Sequence, residues 1–132
     1  MESPRLYKEG SFDYHLDNYP PAIRIMFEEK YIEHELANGG SRIYHIGYRM
    51  LAKLIWEDSI CMEDQYDKIR EIVNTHDSFN FYPYPKTYPN YYFNVRIMNG
   101  MNVSEWHWVD NGYIGTLELA TTTNLTSIPT RS

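Results

Sequence analysis

The stretch Tyr44-His45-Ile46-Gly47-Tyr48-Arg49-Met50-Leu51-Ala52-Lys53-Leu54-Ile55-Trp56 decides the fold. Every second residue in it is apolar: Tyr44, Ile46, Tyr48, Met50, Ala52, Leu54 and Trp56. Period-two alternation places these seven on one face of an extended strand, with His45, Gly47, Arg49, Leu51, Lys53 and Ile55 on the other. A helical reading competes, because Ile43, Ile46, Met50 and Leu54, with Gly47, Leu51 and Ile55 beside them, also form a stripe at three-to-four spacing. The density of β-branched and aromatic residues, and the turn signal Asn38-Gly39-Gly40 just upstream, favour the strand.

Upstream of that turn, Ile23, Ile25 and Phe27 alternate with Arg24, Met26 and Glu28, a strand pattern. Residues 28–37 read either way. Their helix propensity is good and Asn38-Gly39 serves as a helix C-cap, yet Asn-Gly is also the strongest short hairpin signal. As a hairpin, residues 23–36 pair with 42–56 over about 40 Å, at ~3.3 Å per residue. A ribbon that long calls for a bulge, expected at Gly47.

Downstream, Glu57-Asp58-Ser59 offers capping side chains, Glu63 and Asp64 put negative charge in a first turn, and Met62, Tyr66, Ile69 and Val73 recur at helical spacing. The spacing predicts one helix over about residues 61–75, lying across the sheet. A ring-rich run follows, Phe79, Phe81, Tyr82, Tyr84, Tyr88, Tyr91, Tyr92 and Phe93, punctuated by Pro83, Pro85 and Pro89. The prolines exclude an inner strand or a helix and predict an extended loop, with a strand resuming over 91–98. Tyrosines there either cover the chain's own core or dock a partner or a sugar, since each buries area while keeping a polar tip. Asn99-Gly100, Trp106-His107-Trp108, Asp110-Asn111-Gly112 and the alternating run 113–121 predict a C-terminal β-meander, with both indoles facing in and His107 out. Residues 1–21, closing on Asn18-Tyr19-Pro20-Pro21, read as an extended N-terminal arm, and the Thr/Ser-rich residues 122–132 as a flexible tail. Residues 22–121 are then one β-rich domain.

The 132 residues suffice for one core. With 42% hydrophobic and 16% aromatic residues the chain is globular in composition. Its formal charge of -6 argues against a surface that grips nucleic acid, which needs basic residues to displace counterions. The single Cys61 forms no internal disulfide and reads as a small buried hydrophobe. No apolar run reaches the ~18–20 residues that span a bilayer, and the opening MESPRLYKEG does not read as a secretory signal.

The chain carries no Walker-type loop, dinucleotide fingerprint, Gly-x-Ser-x-Gly elbow or Cys-x-x-Cys pair. The strongest metal candidates are Glu33, His34 and Glu35 with His45 across the hairpin. On a strand, however, His34 faces away from the two carboxylates, and on a helix the three fan apart. A solvated charged face is the better reading. His107, flanked by Glu105 and Asp110, does not amount to an acid–base pair. No cofactor, metal or catalytic residue is expected.

In the order of its elements the chain resembles small structural proteins of bacteriophage tails, the tail-tube, tail-terminator and distal-tail or baseplate-hub group. The residues that carry the resemblance are Gly47-Tyr48-Arg49 leading into Leu54-Ile55-Trp56-Glu57, the helix from Asp64 to Val73, and Phe79-Asn80-Phe81-Tyr82-Pro83 with Tyr92-Phe93-Asn94-Val95. Gly112-Tyr113 to Leu119 completes them, so the resemblance spans roughly residues 42–121. The chain is too short for the second, galectin-like domain that many distal-tail proteins carry, so a tube-end, adaptor or completion role fits better than a full hub. The resemblance implies a non-enzymatic homo-oligomeric ring in the virion tail, assembled in the host cytoplasm beside neighbouring tail or neck proteins, without a membrane. The resemblance also implies that arms extend from one subunit to the next and that DNA passes nearby without specific binding, and the acidic balance of the chain suits such a channel. The fold expected is α+β, an antiparallel sheet or small sandwich with a long hairpin and one helix packed on it. Subunit contacts are expected at Tyr82, Tyr84, Tyr88 and Tyr91 in the loop and at Asn38, Gly39, Gly40 and Arg42 at the hairpin tip, and the far end of the long strand, near Ile43 to His45, is expected to belong to a neighbour's interface as much as to its own fold. The alternative is a carbohydrate-binding module using Trp106, Trp108 and the tyrosines as stacking platforms.

Overall fold

A computed structural model describes residues 3–16, 20–98, 107–109 and 112–131. Strands β1 (Arg5–Lys8), β2 (Phe12–His15), β3 (Ala22–Glu35) and β4 (Ser41–Met62) precede helix α1 (Glu63–Thr75). They are followed by β5 (Phe79–Tyr82), β6 (Phe93–Ile97), β7 (His107–Val109) and β8 (Gly112–Thr121). Among the described residues these strands form one antiparallel sheet in the order β2-β1-β5-β6-β8-β4-β3, with β7 paired to the start of β8.

This corrects the expected α+β class. A sheet and one helix are present, but the hydrogen-bonded path is a single continuous sheet and not a sandwich, and the helix is only 13 residues long, so the class is mainly β. Residues 28–35, which the sequence leaves open between helix and strand, are strand. Their helix propensity is outweighed by cross-strand pairing with β4 in unbroken register from Ala22↔Ile55 to Lys30↔Gly47, and onward from Tyr31↔His45 to Glu35↔Ser41.

Paired positions share a face, so one face of the sheet can be followed across the strands. Ile23, Leu54 and Leu117 align, as do Ile25, Ala52, Leu119 and Ile97. Phe79 sits opposite Val95, and Phe81 opposite both Phe93 and Leu6. This face is the core, closed by Trp56, Cys61 and the Ile69–Ile72 side of α1. Burying each large side chain contributes on the order of 1.5–3 kcal/mol. α1 follows β4 without a loop: Met62, in extended conformation, occupies its N-cap position without a side-chain cap, and the expected capping run 57–59 lies inside β4 instead. Glu63 and Asp64 complement the helix dipole, and His76 ends the helix in the left-handed region, its N–H reaching the Val73 carbonyl.

Residues 5–15, expected within an extended arm, are a hairpin. Gly10 takes φ +75° at the turn, Ser11 N–H reaches the Lys8 carbonyl, and β1 adds to β5 with Leu6 fully buried. Four-residue strands are too short to show a period, which is why their charges read as an arm. The C-terminal stretch is likewise tied down. Tyr48 and Leu125 exchange backbone hydrogen bonds of 2.7 and 2.8 Å, and Thr122 bonds Asn94 through both backbone and side chain.

Candidate assembly interface

β8 pairs with β4 no further out than Leu51, and the tail bridge at Tyr48 is the last contact. Beyond it β3 and β4 run on as a bare two-stranded ribbon for about 25 Å. The register slips once, between Lys30 and Tyr31, where Lys30 opposes Gly47 and Tyr31 opposes His45, leaving Ile46 as the extra residue. The expected bulge at Gly47 is therefore present. It also corrects the expected seven-residue face. Met50, Ala52, Leu54 and Trp56 are buried together, but the bulge reverses the alternation, and Tyr44 and Ile46 lie exposed on the ribbon.

The tip is not the two-residue Asn-Gly turn that the sequence suggests. The loop runs from Leu36 to Gly40, closed by Gly39 N–H to the Leu36 carbonyl and Leu36 N–H to the Gly40 carbonyl. Gly39 alone takes the left-handed φ of +87°, and Asn38 Oδ1 accepts from Gly40 N–H. Asn38, Gly39, Gly40 and Arg42 are all exposed, and Arg42 lies over the Tyr44 ring, which meets His34 edge-on. Glu29 and His45 pair at 2.9 Å across the ribbon. Glu33 and Glu35 occupy that face while His34 takes the opposite one, and among the described residues no group of three or more His, Cys, Asp or Glu is placed to hold a metal ion.

The tyrosine loop behaves differently. Tyr88 N–H bonds the Tyr84 carbonyl and Tyr91 N–H the Tyr88 carbonyl, which curls the loop so that rings 84, 88 and 91 meet edge to face. Tyr91 is buried against Phe93, and burial pushes its phenol pKa up while the Arg131 side chain, hydrogen-bonded to it, pulls the other way. Tyr84 is half-buried with the Arg131 guanidinium over its ring. Tyr82 is half-buried, stacked on Tyr92 and covered by Arg5. The structure thus places the two expected contact groups apart, one folded over its own core, the other fully in solvent. Trp106 lies outside the described residues. Trp108, expected to face in, is exposed, its ring and that of Tyr113 meeting edge to face.

The sequence points to the end of the strand near Ile43 to His45 as interface, but not to Tyr31, Ile32 and Ile46, which complete the unusual surface of the ribbon. Tyr31, Ile32, Ile43, Tyr44 and Ile46 are all exposed, Ile43 at 63%, and Met26 and Met98 extend the apolar surface onto the body. Two-residue counting beyond a bulge at Gly47 would have found them. A bare two-stranded ribbon is marginal in water, and apolar side chains on both of its faces are what protein interfaces leave exposed.

No family model matches the chain, and no curated protein matches it. Among solved structures, a chain of the tail of an empty GTA (gene transfer agent) particle, from a helical refinement with C6 symmetry, is similar at a TM-score of 0.51 and 14% identity. The likeness covers 92% of this chain and 91% of that chain. At such identity it shows the fold alone: the chain has a fold found in the tail of a phage-like particle.

Proposed function

We propose that this chain is a non-enzymatic structural subunit of a phage-like tail. Copies of it form a ring around the DNA channel, at the tube, its end or an adjoining adaptor. The observation that carries this reading is the ribbon of residues 31–46, apolar on both faces and exposed throughout. A free monomer would leave that surface and its strand edges open, whereas a ring turns them into contacts. The fold likeness to a chain of a C6-symmetric tail supports the same reading. A role in the virion, next to other tail proteins, goes with it.

The test compares the full chain with a variant in which residues 31–46 are replaced by Asn-Gly, joining Lys30 to Gly47. Native mass measurement and electron microscopy of the full chain are expected to show closed rings or stacks of rings, and the shortened chain is expected to stay monomeric with its thermal unfolding intact. A full chain that stays monomeric, or a shortened one that still forms rings, overturns the proposal.

A further inference from the structure

The ribbon sorts its charges by face. The core face of β3 continues outward through Glu29, Tyr31, Glu33 and Glu35, opposite Tyr48, His45, Ile43 and Ser41, and carries no Lys or Arg. The opposite face carries Lys30, Arg42 and Arg49 with Glu28. The bulge produces this sorting. In uninterrupted register Glu35 would oppose Arg42, whereas with Ile46 as the extra residue Arg42 opposes His34.

The outer face of the body is the counterpart of the acidic face. Met26, Leu51 and Met98 line a shallow apolar groove there, rimmed by Arg24 and by the Lys53–Glu118 pair. Arg96 aligns with Ala120 and Leu51 on the same face. Resting on the ring reading above, we propose that the acidic ribbon face of one copy docks on the outer body face of the next. Tyr31 and Ile43 lie over Met26, Leu51 and Met98, and Glu33 and Glu35 face Arg24 and Arg96. The occupant of the groove is a second copy of this chain, because a surface with exposed apolar side chains, Tyr31 and Ile43, set among carboxylates opposite in charge to Arg24 and Arg96 belongs to the chain itself. The contact joins two different surfaces, so each copy gives a ribbon to one neighbour and receives one from another, and repeated around an axis it makes a ring where the rotation closes.

The test is a charge swap read by sedimentation at low and high salt. Glu33→Lys/Glu35→Lys and Arg24→Glu/Arg96→Glu are each expected to weaken self-association by about ten- to a hundredfold. Lys53 is left unchanged to preserve its pair with Glu118. An equimolar mixture of the two variants is expected to restore assembly, since each ribbon then meets an outer face of opposite charge; a folding defect would not be rescued this way. Wild-type association is also expected to fall as salt rises. If wild type associates and the variants match it, or the mixture fails to recover, this docking is overturned, the groove belongs to another occupant, and the ring reading stands. A wild type that is monomeric at every salt concentration overturns both.

Discussion

Gly47 lies so close to the backbone of Leu125 that a Cβ built on it would stand 2.5 Å from the Leu125 carbonyl oxygen. Its φ of +154° is also one that side-chain-bearing residues rarely adopt. Gly47→Ala is therefore expected to destabilise the chain by about 1–3 kcal/mol. Hydrogen exchange should show the amide protons of Tyr48 and Leu125, which bond each other's carbonyls, losing protection together. Wild-type protection at both would refute the constraint.

Core and ribbon should separate cleanly by mutation. Leu54 is fully buried between Ile23 and Leu117, and Leu54→Ala is expected to cost about 2–5 kcal/mol in urea unfolding. Ile43, equally apolar but 63% exposed, should tolerate Ser within about 0.5 kcal/mol. Its effect should appear in self-association instead.

The N-terminal hairpin should weaken in acid. Arg5 donates two hydrogen bonds to Asp13, of 2.7 and 2.8 Å, and this holds the Asp13 carboxyl below the ordinary carboxylate range. A folded-state pKa that is lowered contributes stability above the unfolded value, and that contribution is lost as pH falls through the folded one. Because Asp13 is substantially exposed, its size should stay under about 1 kcal/mol. Urea midpoints of wild type and Asp13→Asn should differ near neutral pH and converge in strong acid; parallel curves throughout would refute the link.

Cys61 should be chemically silent. Burial first, and the Asp64 charge second, push its thiol up to about 12, and the side chain is wholly enclosed. At neutral pH the folded protein is expected to resist a thiol reagent that labels it completely in denaturant. Rapid labelling of the native chain would mean that the β4–α1 junction opens.

Much of the body was legible in the sequence because its signals are local and repeated. Met50 to Trp56 alternate without interruption, Glu63 and Asp64 mark a helix start, and Pro83, Pro85 and Pro89 forbid regular structure. What was hidden depends on contacts distant in sequence. Leu6 reveals itself as core only when β1 finds β5, and nothing near Leu125 announces Tyr48 as its partner. Residues 28–35 illustrate the limit of propensity, their helix-forming side chains extended by the strand opposite. The tyrosine loop and the hairpin tip look equally available in sequence, yet Tyr91 is buried while Asn38 stands in solvent. What differs is the support beneath them, a folded body under one and only a paired strand under the other.

β4 is one continuous strand of 22 residues, roughly 70 Å long, whose outer third is ribbon and whose middle, from Leu51 to Ile55, lies between β3 and β8. Antiparallel hydrogen bonds run perpendicular to their strands. A pull along the ribbon therefore loads the body's bonds from Leu51 to Trp56 together, in shear, and not one after another as in unzipping. The arm is anchored like a spar built into a hull, and it yields only when the whole ladder around Leu54 slides.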